Sequence, residues 1–307
     1  MSKPISIIVP AHNEAMVIGL CLQSLLDQTP PRPLRIIVVA NGCTDATADI
    51  ARCFQLAARV AGHDPIVKEL PSGCKADALN HGDLSAVPGI RIYMDADVRL
   101  SHDAIAGIID ELENGRTSLT APALKVAPAR SLITRSYAQV WSRLPVVRND
   151  VMGCGLYAVT ATGRRRWGSF PRIISDDKFV RLSFTRDERR PARKGSFTIS
   201  MPEGFTELIR VRGRWCRGNS ELLEKFPNIG TRERNRYDLT LLFLFKSLSL
   251  WPHVPSFILI FILGHLAALW RRGQSVNMWE RADIARVHIA GDSATAVPSR
   301  PRSATDW

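Results

Sequence analysis

The stretch Arg91-Ile92-Tyr93-Met94-Asp95-Ala96-Asp97 sets two carboxylates one residue apart where an apolar run ends. An Asp-x-Asp pair arises by chance in a chain of this length, so its meaning comes from its place among the elements around it. It closes the third or fourth strand of an alternating strand and helix series, at the edge where open parallel sheets bind ligands. Two oxygen-bearing side chains at that edge suit a hard divalent cation.

Upstream, Ile5-Ser6-Ile7-Ile8-Val9 reads as a buried strand closed by Pro10. Asn13 reads as the N-cap of a helix with Ile18, Leu22, Leu25 and Leu26 on one face, stopped by Pro30, Pro31 and Pro33. Leu34-Arg35-Ile36-Ile37-Val38-Val39 is a second strand, ending in the turn Ala40-Asn41-Gly42-Cys43, and Thr44 or Asp45 opens a helix to about Val60. A third strand covers Ile66-Val67-Lys68-Glu69-Leu70, and a helix follows with Lys75, Asp77 and Asn80. Beyond the carboxylate pair, Ser101 caps a helix whose Ile105, Ile108, Ile109 and Leu112 share a face. This alternation predicts an α/β fold with a mainly parallel sheet and helices on both faces. Right-handed crossovers put the turns after Val9, Val39, Leu70 and Met94 on one edge, the expected nucleotide site.

With 307 residues and 45% hydrophobic content, the chain can bury one large core or two modest ones. Its six cysteines lack any C-x-x-C spacing, which argues against zinc and fits a reducing cytosol. The first residues run straight into a strand, so no signal peptide is expected and the catalytic portion should face the cytoplasm. Residues 1–150 carry 15 Lys and Arg against 15 Asp and Glu, whereas residues 151–307 carry 26 against 14, so the whole net charge of +12 lies in the second half. No aromatic platform interleaves with these cations, which disfavours nucleic acid and favours an anionic membrane surface or a phosphorylated substrate. Residues 239–270 are strongly apolar, interrupted by Lys246 and by Trp251-Pro252-His253-Val254-Pro255. The 15 residues 256–270 before Arg271-Arg272 fall short of the ~20 needed to span a bilayer. A membrane-associated helical pair over 236–272, peripheral or shallowly inserted, is expected, with a spanning hairpin and ordinary core burial as rival readings. Residues 273–307 read as a short helix and a disordered tail.

Four segments together resemble family 2 glycosyltransferases of the GT-A fold, of a non-processive bacterial type. They are Val9-Pro10-Ala11-His12-Asn13-Glu14, Val39-Ala40-Asn41-Gly42-Cys43-Thr44-Asp45, Lys75-Ala76-Asp77-Ala78-Leu79-Asn80 and Asp95-Ala96-Asp97. A fifth, Ile174-Ser175-Asp176-Asp177, stands where that family carries a Glu-Asp pair before a helix. The resemblance implies a catalytic domain over 1–235, with a donor-binding half to about 115 and an acceptor and base half to 235. It implies that Pro10, Asn13, Glu14, Asn41, Asp45, Lys75 and Asp95 bind the donor. Asp97, with Asp95, would hold Mg²⁺ or Mn²⁺, and Arg214 and Trp215 would hold diphosphate or acceptor. Asp177 would be the base, with Asp176 beside it. Two positions depart from the pattern: Ala40-Asn41 stands where the family usually has two aspartates, and Val211 stands where processive members have the glutamine of Gln-x-x-Arg-Trp. The donor base is therefore open, and transfer of one sugar at a time is favoured.

The chemistry matches the residue types. Breaking the anomeric bond of a nucleotide sugar drives charge onto diphosphate, which a cation neutralises. Attack by a hydroxyl needs a base, and a carboxylate with a like-charged neighbour has a raised pKa. Capping and first-turn roles for Asn13, Asp45, Asp176 and Asp177 stand beside these functional ones, as does core packing for Trp215. The expected activity is inverting, metal-dependent transfer from a nucleotide-sugar donor to a lipid-linked or saccharide acceptor at the cytoplasmic face of the inner membrane. The alternatives are a sugar-phosphate nucleotidyltransferase, disfavoured because Pro10-Ala11-His12-Asn13-Glu14 is no glycine-rich loop, and a non-catalytic membrane-surface scaffold.

Overall fold

The computed structural model describes residues 5–71, 73–229 and 237–270, without the side chains of 237–241. Strands β1 (Ile5–Ala11), β2 (Leu34–Asn41), β3 (Asp64–Leu70) and β4 (Ile90–Met94) alternate with helices α1 (Ile18–Leu26), α2 (Thr47–Val60) and α3 (Lys75–Ser85). Then come β5 (Arg99–Leu100), α4 (Ala104–Glu113), β6 (Leu119–Thr120), β7 (Ala123–Val126), α5 (Leu132–Trp141), α6 (Pro145–Arg148), β8 (Leu156–Val159) and α7 (Ala161–Arg164). The order closes with α8 (Asp176–Leu182), β9 (Ser196–Ile199), α9 (Phe205–Lys225), α10 (Tyr237–Lys246), a 3-10 segment (Leu248–His253) and α11 (Val254–Trp270).

The main sheet runs β3-β2-β1-β4-β8-β6. β1 to β4 are parallel, and only β8 is reversed, since it pairs antiparallel with both β4 and β6. Strand order turns back between β1 and β4, and the crevice beyond that point is where such sheets take ligands. A small second sheet runs β5-β9-β7. β1 and β2 are buried on both faces, as their unbroken apolar runs require. Helix α3 sits close on β1 because Gly82 has no Cβ to run into Ile8.

Several local expectations are corrected. Pro10 does not end β1, because β4 pairs only with Ile5 to Ile8 and the missing N–H lies past that ladder. Asn13 does not cap α1. It sits at φ 52° and its Oδ1 accepts from the Thr44 backbone N–H at 2.8 Å, while Glu14 C=O receives Val17 and Ile18 N–H. Ser101 is likewise not the cap of α4: Asp103 is, and the Ser101 hydroxyl donates to its carboxylate. Helix α2 begins at Thr47, after Asp45 has folded back on the Thr47 N–H at 3.0 Å.

The C-terminal apolar stretch forms α10, the 3-10 segment and α11. Phe257, Ile260, Gly264 and Ala268 of α11 are buried, and Gly264 faces Arg212 and Gly213 of α9. Tyr137 of α5 stacks on Phe257 at 5.3 Å, and the Ser136 hydroxyl meets His253 and Ser256. The opposite side of α11 is open, with Ile258, Leu259, Ile262, Leu266 and Leu269 about half exposed. The expected tail over 273–307 lies outside the described residues.

Candidate active site

A cavity of about 410 Å³ opens at the carboxyl end of β4. Of the residues expected from sequence, it gathers Lys75, Asp95, Asp97, Asp176, Asp177, Arg214 and Trp215. Asp95 follows the last residue of β4, and its N–H donates to Gly155 C=O at 2.7 Å, so the β4 and β8 ends are tied together under the carboxylates. Gly155 has φ 86° and a Cβ there would meet Val98 at 2.9 Å, so only glycine keeps this turn flat beneath the site.

Lys75, the first residue of α3, lies 2.9 Å from Asp95 Oδ1 and 3.4 Å from Asp176 Oδ2. One ammonium thus joins the turn after β4 to the start of α8, which lie 81 residues apart in sequence. Asp176 is buried and Asp177, half-buried, follows it in the first turn of α8. Burial, then the neighbouring charge of Asp176, pushes Asp177 up to about 6, with the Lys75 ammonium opposing. The like-charge effect expected from sequence is present, but burial exceeds it. Helix α9 braces this segment from outside: Glu221 accepts the Ile174 N–H at 3.0 Å, and a Cβ on Gly218 would stand 2.5 Å from the Ser175 hydroxyl.

The other expected donor residues form the turns beside the cavity without lining it. Pro10 and Glu14 are buried, and the Glu14 N–H donates to the Thr47 hydroxyl at 2.7 Å. Asn41 is buried and its amide donates to Cys74 C=O, fastening the end of β2 to the residue that caps α3. Its backbone oxygen meets His12 at 2.7 Å. Asp45 also accepts the Ala15 N–H at 3.0 Å; partial burial raises its pKa, but these hydrogen bonds prevail and hold it below the usual carboxylate range. Asn13, Asn41 and Asp45 therefore set the shape of two strand-end turns.

Sequence reasoning did not single out Trp141, Lys178, Arg181, Arg212 or Asn219, all of which line the cavity. The α9 members were visible as a pattern, since 211, 212, 215 and 219 share one helical face with Arg214 beside it. Trp215 packs against Trp141 with ring centroids 6.3 Å apart, so it walls the site and packs at once. Arg181 reaches Asp150 at 3.3 Å, and Asp150 also pairs with the buried Arg189 at 3.4 Å.

Among the described residues no group of three or more His, Cys, Asp or Glu side chains forms a metal cage. Two carboxylates beside an open cavity are nonetheless the oxygen donor set that suits Mg²⁺ or Mn²⁺ completing its shell from water and substrate phosphate.

The family model "Glycosyl transferase family 2" matches residues 6–160, half of the chain. The chain belongs to glycosyl transferase family 2. The matched stretch holds the strand-end turns, Lys75, Asp95 and Asp97, whereas Asp176 and Asp177 lie beyond it. Among curated relatives of this family member, the 4,4'-diaponeurosporenoate glycosyltransferase of Staphylococcus aureus (strain MRSA252) is 28% identical over 178 residues, 57% of this chain and 44% of its own. The probable glycosyltransferase YdaM of Bacillus subtilis (strain 168) is 24% identical over 251 residues, 72% of this chain and 56% of its own. The chain spans about half the length of the curated relatives it matches. Among solved structures, mannosyltransferase PcManGT from Pyrobaculum calidifontis, in complex with GDP-Man and Mn²⁺, aligns with TM-score 0.58 at 18% identity, covering 96% of this chain and 81% of that one. S. aureus TarS 1–349 with UDP-GlcNAc aligns with TM-score 0.50 at 14% identity, covering 87% and 82%. The family 2 chain thus has the GT-A fold.

Proposed function

We propose that this family 2 chain is an inverting, metal-dependent glycosyltransferase that moves one sugar from a nucleotide-sugar donor to a lipid-linked or saccharide acceptor. The observation that carries the reading is one cavity lined by Asp95, Asp97, Asp176 and Asp177, in which Lys75 bridges Asp95 and Asp176. Asp97 with Asp95 would hold Mg²⁺ or Mn²⁺, which when bound supplies Lewis-acid neutralisation of the diphosphate. Lys75 adds a compact cation at the same place, and Arg214 a second one from α9. Asp177 Oδ takes the proton of the acceptor hydroxyl, whose oxygen bonds to the anomeric carbon while the nucleoside diphosphate departs with the bonding pair. A single base opposite the leaving group favours inversion. The PcManGT and TarS complexes with GDP-Man and UDP-GlcNAc support a nucleotide-sugar donor without choosing its base.

The site of action in this reading is the cytoplasmic face of the membrane. The 23-residue segment Leu248–Trp270 is long and apolar enough to cross a bilayer, yet one side of α11 is seated on α5 and α9. A helix held along the catalytic domain, with its outer side apolar and the second half of the chain basic, fits shallow insertion into an anionic surface.

Thermal-shift screening of UDP-, GDP- and dTDP-sugars with and without Mn²⁺ is the test. One donor class is expected to stabilise the wild type only with metal. Asp97→Ala should lose that metal dependence, and Asp177→Asn should keep it while transfer falls about 10²–10⁴-fold. Full transfer by Asp177→Asn rejects the base assignment.

A further inference from the structure

The cationic segment from Arg186 to Lys194 contributes no residue to the lining of the active-site cavity. It borders a second cavity, of about 480 Å³, which shares no lining residue with the first. The walls are the second half of α4, Arg116 on the turn that follows it, and Arg190, Arg193 and Lys194. Backbone contacts fix the frame that carries these side chains. Arg190 N–H donates to Leu119 C=O at 3.2 Å, Arg190 C=O accepts the Thr120 hydroxyl at 2.6 Å, and Ala192 N–H donates to Ala121 C=O at 2.8 Å. Residues 190–192 thus lie alongside residues 119–121. Two glycines seat the end of the segment on α4: a Cβ on Gly107 would run into the Lys194 C=O, and one on Gly195, at φ 79°, into Ala104. Past α4, Asn114 Oδ1 accepts the Arg116 N–H at 2.9 Å and holds that turn.

Four cations and two carboxylates line this cavity, and both carboxylates are already engaged. Lys194 Nζ donates to Asp110 at 3.1 Å. Glu111 is buried and accepts the Thr117 hydroxyl at 2.7 Å and the Asn114 amide at 3.0 Å. Arg116, Arg190 and Arg193 are left with no ion-pair partner among the described residues. Three guanidinium groups around one hollow repel one another, and a single anion between them is attracted by all three. No aromatic ring and no apolar side chain belongs to the lining, so a nucleobase has nothing to stack on and a hydrocarbon no seat. Asp110 and Glu111 in the same lining disfavour an anion with no hydrogen to give, such as sulfate. A phosphate monoester or a diphosphate, whose last ionisation falls at about pH 6, can keep an O–H that donates to them.

We propose that this second cavity is a binding site, separate from the active-site cavity, for a phosphate monoester or a diphosphate. Arg116, Arg190 and Arg193 take the phosphate oxygens, each guanidinium offering two parallel N–H groups. The same phosphate chemistry arrives on a free small molecule or on the headgroup of a lipid.

Inorganic diphosphate is titrated calorimetrically into the full purified chain, with a chelator present to keep Asp95 and Asp97 free of metal. It is expected to saturate one site and to bind at least tenfold tighter than sulfate. Arg190→Gln combined with Arg193→Gln should weaken it at least tenfold, and so should Arg116→Gln alone, each with the wild-type Tm because these side chains are exposed. Lys75→Gln, which removes a cation of the active-site cavity, should leave the affinity unchanged. Where the double variant melts early, Arg116→Gln decides by the same criterion. Absence of binding, equal affinity for sulfate, or loss with Lys75→Gln but not with the arginine variants overturns the proposal. Vesicles of phosphatidylcholine with phosphatidic acid then assign the carrier: displacement of diphosphate from the wild type supports the site with a lipid headgroup as its occupant, and no displacement supports it with a free small molecule.

Discussion

Asp177 sits where charge is costly, and this has consequences for rate and stability. With its pKa raised to about 6, it is mostly ionised at neutral pH and close enough to it to accept a proton effectively. The transfer rate should fall about tenfold per pH unit below 6, and a pH–rate profile of wild type shows this acidic limb. For stability the folded state binds more protons than the unfolded one between the ordinary carboxylate range and pH 6, so stability falls as pH rises through that window. Asp177→Asn removes the burden and should raise stability above pH 6 by on the order of 1–3 kcal/mol, read as urea midpoints at pH 5 and 8. No gain at pH 8 would mean that Lys75 compensates the charge fully. Asp95, Asp97 and Asp177 were legible in the sequence because each stands at an element boundary. The quiet roles of Asn13, Asn41 and Asp45 were not, because their partners Thr44, Cys74 and Ala15 come from other turns.

At the scale of elements, α9 braces the segment that carries Asp176 and Asp177, the latter the proposed base, although it contributes none of these carboxylates. Gly218 lets it approach Ser175 and Ile174, and Glu221 holds the Ile174 N–H. Gly218→Val should push residues 174–177 outward, lowering kcat at least tenfold for about 1–3 kcal/mol of stability, with the metal-dependent donor shift retained. Steady-state kinetics beside thermal unfolding separates the two effects; unchanged kcat would remove α9 from the positioning of Asp177. A second device binds α3, β4 and α7. Asp83, with its side chain 8% exposed, receives Arg91 at 2.6 Å, Arg164 at 2.5 Å and the Tyr93 hydroxyl at 2.7 Å. Asp83→Ala leaves two guanidinium groups without their carboxylate and should cost about 3–5 kcal/mol in denaturant unfolding. Little change would mean that water reaches the network. The order β1 to α4 was readable from apolar periodicity, while strand-end details shifted by a few residues where Pro10, Asn13 and Ser101 met long-range partners.

Over the whole molecule, the chain brings the strand edge with Asp95 and Asp97 and the helix with Asp176 and Asp177 to one cavity, with α11 packed on α5 and α9 behind it. The apolar and charged patterns of the sequence by themselves determined the parallel α/β core, the edge that carries Asp95 and Asp97, the basic second half and an amphiphilic C-terminus. Those are properties of neighbours along the chain, set by periodicity and by where apolar runs stop. Tertiary structure alone decided that Lys75 bridges Asp95 and Asp176, that burial outweighs repulsion in raising Asp177, and that α11 rests on the helices lining the cavity. Each of these depends on groups dozens of residues apart arriving within a few ångströms, and on the loss of water between them. A linear pattern carries neither distance nor dielectric.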